Sequence, residues 1–233
     1  SLKDLPTEEP EGLEVVAIPE RANPADLLLA GPGLLLDPPA DPFDLPRGSV
    51  LGTSSLRRAA QVLARNPEIE IRALRGNVPT RVRKLQDGEY DAILLAAAGV
   101  RRLDLDLGEI VARELTPEEM LPAPGQGALA IEARTGDPST ACLKRLHDEE
   151  VAECVSAERG LLEMLGGGCH LPLGALAVED PRALLMQAVL GEIDDHATQA
   201  EIARVGSVAQ DSRTAARVCF EALKLAMPRV VGG

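Results

Sequence analysis

Aromatic side chains are nearly absent from this sequence: Phe43, Tyr90 and Phe220 are the only three in 233 residues, and there is no tryptophan. A core must therefore be assembled from Leu, Val, Ile and Ala, and the stacking platforms that hold single-stranded nucleic acid are missing. Positive charge is also short, with 24 Lys and Arg against 37 Asp and Glu, a formal charge of −13. That balance opposes general binding to nucleic acid or to an anionic membrane, so any anion site has to be local. No apolar run approaches the roughly 20 residues of a membrane-spanning helix. The opening SLKDLPTEEPEG has neither the basic nor the apolar region of a secretory signal. Four cysteines (Cys142, Cys154, Cys169 and Cys219) without a C-x-x-C pair read as reduced thiols, so the expectation is a cytoplasmic protein without disulfides. Three histidines and no paired ligands at finger spacing predict no metal site.

What is present is a chain that is 45% hydrophobic and 26% charged, the composition of folded domains. Its pattern becomes regular at residue 50. A strand at 50–53 is followed by a helix from about Ser55 to Arg65, with Leu56, Ala59, Ala60 and Leu63 on one face. A strand at 69–74, a helix opened by Pro79 and closed by Gly88, and a strand at 92–97 complete the series. This alternation predicts a parallel sheet with helices on its faces, an α/β fold. Upstream, residues 13–18 read as a strand, and the proline-rich stretch before residue 50 allows at most one short helix. Residues 117–138, punctuated by Pro and Gly around ALAIEA, read as a crossover between domains. A helix then runs from Asp148 to about Leu165 and is broken at Gly166-Gly167-Gly168. Strand-like runs at 173–178 and 184–190, a polar stretch and a last helix from about Ser212 to Met227 form an α+β unit.

Between Arg57 and Arg102 stand ten cationic residues, nine of them arginine, against five acidic ones, a local charge of +5 in an acidic chain. Arg57, Arg58 and Arg81 fall in the first turns of expected helices, where the positive end of the helix dipole disfavours a cation. A bound anion would remove that conflict. Ser54 and Ser55 are N-cap candidates, Gly76-Asn77 forms a loop before the second helix, and Arg101 and Arg102 are expected just past the strand at 92–97. Two readings stay open: an anion-binding edge at the carboxyl ends of the strands, or a solvated basic face. Asp4 beside Lys3 is by itself an acid in a turn. The three glycines before Cys169 permit close approaches, although a lone thiol is most often a small buried hydrophobe. That bland reading is given to Cys142, Cys154 and Cys219. Glu158 lies in the apolar stripe of its helix and is expected to meet a cation at a domain contact.

Six motifs in order, SLKDLPT, GTSSLRRAAQ, RALRGNVPTRVRKL, GEYDAILLAAAGVRRL, LPAPGQGALAIEAR and GGGCHLPLGA, resemble the porphobilinogen deaminase (hydroxymethylbilane synthase) family over essentially the whole chain. The resemblance implies two periplasmic-binding-protein-like α/β domains, the first incomplete here, plus a C-terminal α+β domain. The implied ranges are 1–22 with 124–143, then 23–123, then 148–233. It implies a transferase that deaminates four porphobilinogen molecules and joins them head to tail on a covalent dipyrromethane primer. The released product is the linear tetrapyrrole hydroxymethylbilane of haem biosynthesis. The implied enzyme is a monomer whose partner is its small-molecule substrate, with no nucleic acid or membrane.

Under this resemblance Cys169 is the thioether attachment point and Asp4 the catalytic aspartate. Lys3, Thr53, Ser54, Ser55, Arg57, Arg58 and Gly76 would contact the cofactor, and Arg57, Arg75, Asn77, Arg81, Arg102 and Gln126 the substrate. His170 either lowers the thiol pKa or is a simple polar neighbour. In the family about a quarter of the enzyme precedes SLKDLP, so the expectation is that the upstream part of the first domain is missing. The competing reading is a non-catalytic α/β module for a polycarboxylate or phosphorylated ligand, which requires neither Cys169 nor Asp4.

Overall fold

The computed structural model describes residues 1–32, 34, 41–167, 171–194 and 196–231. Its strands and helices, in chain order, begin with β1 (Leu13–Ala17), β2 (Asp26–Ala30), β3 (Val50–Gly52), α1 (Leu56–Leu63) and β4 (Glu70–Arg72). Then come α2 (Val78–Gln86), β5 (Ala92–Ala96), α3 (Ala97–Leu103), β6 (Val111–Glu114) and β7 (Ile131–Arg134). The last part holds α4 (Glu149–Met164), β8 (Leu173–Asp180), β9 (Ala183–Ile193), β10 (Ala200–Ala209) and α5 (Ser212–Ala226). No helix among the described residues is long and apolar enough to cross a membrane.

The strands make three sheets. β1 and β7 form an antiparallel ribbon, five strands lie in the order β4-β3-β5-β2-β6, and β10-β9-β8 form an antiparallel meander. In the five-stranded sheet β3 runs parallel to β4 and β5, as the strand-helix-strand alternation predicts. The expectation of an all-parallel sheet is corrected by β2, which runs antiparallel to both β5 and β6. β2 also replaces the short helix allowed in the proline-rich stretch. Its sequence DLLLA is buried at every position, so it shows neither the alternation of a half-exposed strand nor helical periodicity.

Side chains on the two faces of β2 fill two cores. Leu27 and Leu29 pack with Ile93 and Leu95 beneath Val82, Leu85 and Val100 of α2 and α3. Leu28 packs with Leu51 and Leu94 against Val62 of α1, Phe43 and Met120. Burying one such leucine contributes about 1.5–3 kcal/mol. The third core lies between the meander and helices α4 and α5, with Leu161, Leu173, Met186, Leu190 and Leu223. The polar stretch before the last helix holds β10, an edge strand with small and charged residues, most of them partly or fully exposed.

Helix α1 departs from its expected stripe. Ala59, Ala60 and Leu63 are buried as predicted, but Leu56 is 42% exposed while Arg57 and Arg58 are buried. The reason is that α1 is covered on a second side by the meander: a Cβ added at Gly191 of β9 would sit 2.6 Å from Ala60 Cβ. Cys154 and Cys219 are buried free thiols, and Cys142 is exposed, contrary to its assignment as a core residue.

Candidate functional site

The carboxyl ends of β3, β4 and β5 lead into the starts of α1, α2 and α3. Because β2 is antiparallel to β5, its first residue, Asp26, lies opposite Ala96 at that same edge. The Asp26 side chain is fully buried there. Its Oδ2 accepts from Arg57 Nη1 at 2.5 Å, and its Oδ1 accepts from Arg58 Nη2 at 2.7 Å and Nε at 3.2 Å. Arg57 Nη1 also donates to the Leu121 carbonyl and Arg58 Nη1 to the Leu94 carbonyl. The anion that the first turn of α1 demands is therefore supplied by the chain itself. Burial alone would raise the Asp26 carboxyl, but the two guanidiniums outweigh it and hold it well below the usual carboxylate range. At 4% and 7% exposure Arg57 and Arg58 are not part of a solvated face.

Gln126 extends the network. Its amide nitrogen donates to the Pro24 carbonyl at 2.7 Å and to Asp26 Oδ1 at 2.9 Å, and its Oε1 accepts from Lys3 Nζ at 3.1 Å. Burial, then the Arg58 and Arg57 guanidiniums, lower the Lys3 ammonium to about 8. Lys3 and Asp4 stand on a short turn, Leu2–Asp4, anchored by buried Leu2 and by the bond from Leu2 N to the Ala128 carbonyl. From α4, Arg159 holds the same turn, donating to the carbonyls of Leu2 (3.0 Å), Leu5 (3.3 Å) and Pro6 (2.6 Å). Asp4 itself is exposed.

Two cavities meet at this turn, with Lys3, Asp4 and Arg58 as their common wall. One, of about 740 Å³, is further lined by Ser55, Arg57, Gln126, Leu171 and the Gly166-Gly167 turn that follows α4. The other, of about 660 Å³, is lined by Gly76, Asn77, Arg81 and Arg102. Asn77 caps α2 by accepting from Thr80 N, which puts Pro79 at the second helical position rather than the first, and Arg81 Nε donates to the Gly76 carbonyl. Gly76 has φ +118°, and a Cβ there would lie 2.9 Å from Thr80 Cγ2. Cys169 and His170, with Gly168, lie outside the described residues; the described chain resumes at Leu171.

Of the other expected site residues, Thr53, Ser54 and Arg75 are not brought to these cavities, whereas Ser55 and Arg102 are. Thr53 is buried and its Oγ1 accepts from Ser55 N. Ser54 exchanges hydrogen bonds with the backbone of Leu74, tying the end of β3 to the chain after β4, and Ser55 occupies the N-cap of α1 without a side-chain capping bond. Arg75 is exposed and lines neither cavity. Arg101 and Arg102 lie just past β5 as expected, in α3, which begins directly at Ala97. They occupy its last turn, where the dipole favours cations, and Arg101 pairs with Glu114.

The expected partner of Glu158 is Arg21, bound in a two-pronged pair at 2.7 and 3.0 Å. Glu158 also accepts from Gly125 N and Ala177 N, and Arg21 Nε donates to the Gln126 carbonyl. Residues that sequence reasoning missed are thus Asp26, Arg21 and Arg159, which hold the site rather than line its open part. The site as a whole offers anion-binding groups on both sides of one exposed carboxylate.

Comparison with known proteins gives two family models that match in succession. One, described as "Porphobilinogen deaminase, dipyromethane cofactor binding domain", matches residues 1–142, and the other, "Porphobilinogen deaminase, C-terminal domain", matches residues 152–224. A protein of Oceanobacillus iheyensis named porphobilinogen deaminase is 46% identical over 195 residues, 83% of this chain and 61% of the relative. Relatives of the same name from Brevibacillus brevis and Thermus thermophilus are 48% and 50% identical over 196 and 192 residues, covering 83% and 82% of this chain and 61% of each relative. The chain thus spans 61% of the length of these curated relatives.

Proposed function

Since the chain belongs to the porphobilinogen deaminase family, we propose that it serves the deamination and head-to-tail joining of four porphobilinogen molecules on a covalent dipyrromethane, with release of hydroxymethylbilane. The proposed organisation is a unit of residues 1–22 with 124–143, a unit of 23–123 and a unit of 148–233, each built on one of the three sheets. The first two would follow the two-lobed plan of periplasmic binding proteins.

The observation that carries the reading is the exposed Asp4 carboxylate on a wall shared by two cavities rich in cations, one of which reaches Gly167, two residues before Cys169. The donor set suits dipyrromethane, a group bearing several carboxylates. Lys3, Ser55, Arg57 and Arg58 would hold it in the first cavity. When bound, it supplies the nucleophilic pyrrole carbon to which the first new unit is joined. Arg81, Asn77 and Arg102 would take the acetate and propionate of the incoming porphobilinogen in the second cavity.

Asp4 is then placed between the two. As the aminomethyl C–N bond breaks and the electron pair leaves with ammonia, positive charge develops on the substrate carbon and is shared with its pyrrole nitrogen. A fixed carboxylate stabilises that charge and accepts the pyrrole N–H. The same carboxylate assists the removal of the proton displaced when the new C–C bond forms.

The test is intact mass after incubation with porphobilinogen. The chain should gain a covalent dipyrrole and then further pyrrole units, and Cys169→Ser should gain none. A dipyrrole retained in Cys169→Ser would refute the attachment site, and binding without any covalent gain would favour a non-catalytic module.

A further inference from the structure

Arg57 is held on two sides, by Asp26 and by the Leu121 carbonyl at 2.7 Å. Leu121 lies between β6 and β7, and its position is set jointly by α1 and the third sheet. Gln61 of α1, 1% exposed, clasps the Leu121 peptide at both ends: its Oε1 accepts from Leu121 N at 2.9 Å and its Nε2 donates to the Leu121 carbonyl at 3.1 Å. The same Oε1 accepts from Arg204 Nη2 of β10 at 3.1 Å, and Arg204 Nη1 donates to the Pro117 carbonyl at 3.2 Å. In β8, Gly174 allows the close approach of this segment, since a Cβ there would lie 2.8 Å from the Leu121 oxygen, and Ala175 N donates to the Pro122 carbonyl at 2.9 Å.

A glutamine amide is polar in one sense only. Reversed, the Gln61 amide would turn its NH2 toward the Leu121 N–H and the Arg204 guanidinium, donor against donor. Arg204 therefore adds to the Leu121 N–H, and to the Leu121 and Arg57 carbonyls that accept from Nε2, in fixing which way Gln61 faces and so how the Leu121 backbone is clasped. We propose that Arg204 is a positioning residue for Arg57: by pinning Pro117 directly and Leu121 through Gln61, it lets the third sheet set where the Arg57 guanidinium stands on the cavity wall. Arg204 lines neither cavity. The inference rests on the proposed function and deepens it, naming the part of the third unit that sets how ligand carboxylates are received. Without Arg204 the 117–121 segment keeps its seat on β8 but loses one anchor at each end, and hydrogen bonds from Arg57 to a carboxylate weaken steeply as distance and angle drift. The turn bearing Asp4 is held separately, by Arg159 and Ala128. Ligand uptake should therefore suffer while the chemical step is retained.

The experiment compares the full 233-residue chain with Arg204→Gln and Arg204→Lys. The Arg57 Nε–H, buried without an acceptor among the described residues, is followed by nitrogen NMR and assigned through Arg57→Lys. Its resonance should move in Arg204→Gln and return toward the parent position in Arg204→Lys. Porphobilinogen uptake read by intact mass should need a three- to tenfold higher concentration for half-maximal rate in Arg204→Gln, with the saturated rate changed less than twofold. A purely structural Arg204 would lower Tm and move neither readout, which overturns the proposal. Should Arg204→Gln fail to fold, Arg204→Lys carries the test, with a two- to threefold rise expected and an unchanged half-saturation refuting it. A parent chain that takes up no porphobilinogen refutes the functional reading instead, and the Arg57 resonance alone then decides the positioning role.

Discussion

Replacing Asp26 with Asn keeps the shape of the side chain and removes the only carboxylate hydrogen-bonded to Arg57 and Arg58 among the described residues. Removing one partner from a buried ion pair costs about 3–5 kcal/mol, because the remaining charge is left buried and uncompensated. Here two guanidiniums lose their anion, but each keeps a backbone acceptor, Leu121 O or Leu94 O, and both border an open cavity. The lower half of that range, about 3–4 kcal/mol, is therefore expected. For a chain of this size each kcal/mol corresponds to about 2–4 °C in Tm, so Asp26→Asn should melt roughly 6–16 °C below the parent.

The pH dependence fixes the cause. The folded-state pKa of Asp26 is depressed, so its contribution is complete above the unfolded carboxyl pKa of about 3.9 and is lost as pH falls through the folded value. The Tm gap between parent and Asp26→Asn should stay constant from pH 7 to about pH 5 and narrow only below about pH 4. Thermal melts at half-unit pH steps read both numbers. A gap under 2 °C at pH 7, or one that closes already at pH 6, would refute the account of Asp26 as the internal counterion.

Asp4→Ala should leave Tm within about 2 °C of the parent, because the side chain is exposed, yet slow bilane formation by two orders of magnitude or more, about 3 kcal/mol in barrier; a loss below tenfold would remove Asp4 from the chemistry. The Lys3 ammonium, lowered to about 8, should lose its proton as pH passes that value, so affinity for carboxylate ligands declines above pH 8 while stability rises between pH 8 and the unfolded value of 10.5. Calorimetric titration of porphobilinogen against the parent and Lys3→Met checks this, the variant showing a flatter profile. Gly127→Ala forces a side chain into φ +86° with its Cβ 2.3 Å from the Ala22 carbonyl, and should destabilise by roughly 2–3 kcal/mol in urea melts.

The elements with local periodicity were legible. α1, α2, α4 and α5, and strands β3, β5 and β8, fall where apolar spacing and Gly or Pro punctuation put them. Edge strands β6 and β10 were not, because an edge exposes most of its side chains and its pattern is diluted by charged and small residues. Helix α3, which carries Arg101 and Arg102, was not legible for a different reason. β5 passes into α3 without a connecting residue, and nothing in AILLAAAGV marks where extended backbone becomes helical.

The site was legible in its cations and illegible in its anion. The first turn of α1 carries two arginines against the helix dipole, and that visible conflict requires a negative charge nearby. A ligand was the natural candidate only while β2 went unread. Yet a charged residue opening a strand whose other four residues are apolar raises the complementary demand, since a carboxylate in a sheet buried on both faces must be paired. What local pattern omits is strand direction. Run parallel to β5, β2 would bring Ala30 to the edge and leave Asp26 at the far end of the sheet. Run antiparallel, it brings Asp26 to the two arginines. Each of the two demands is readable alone, and it is the direction of one strand that makes them answer each other.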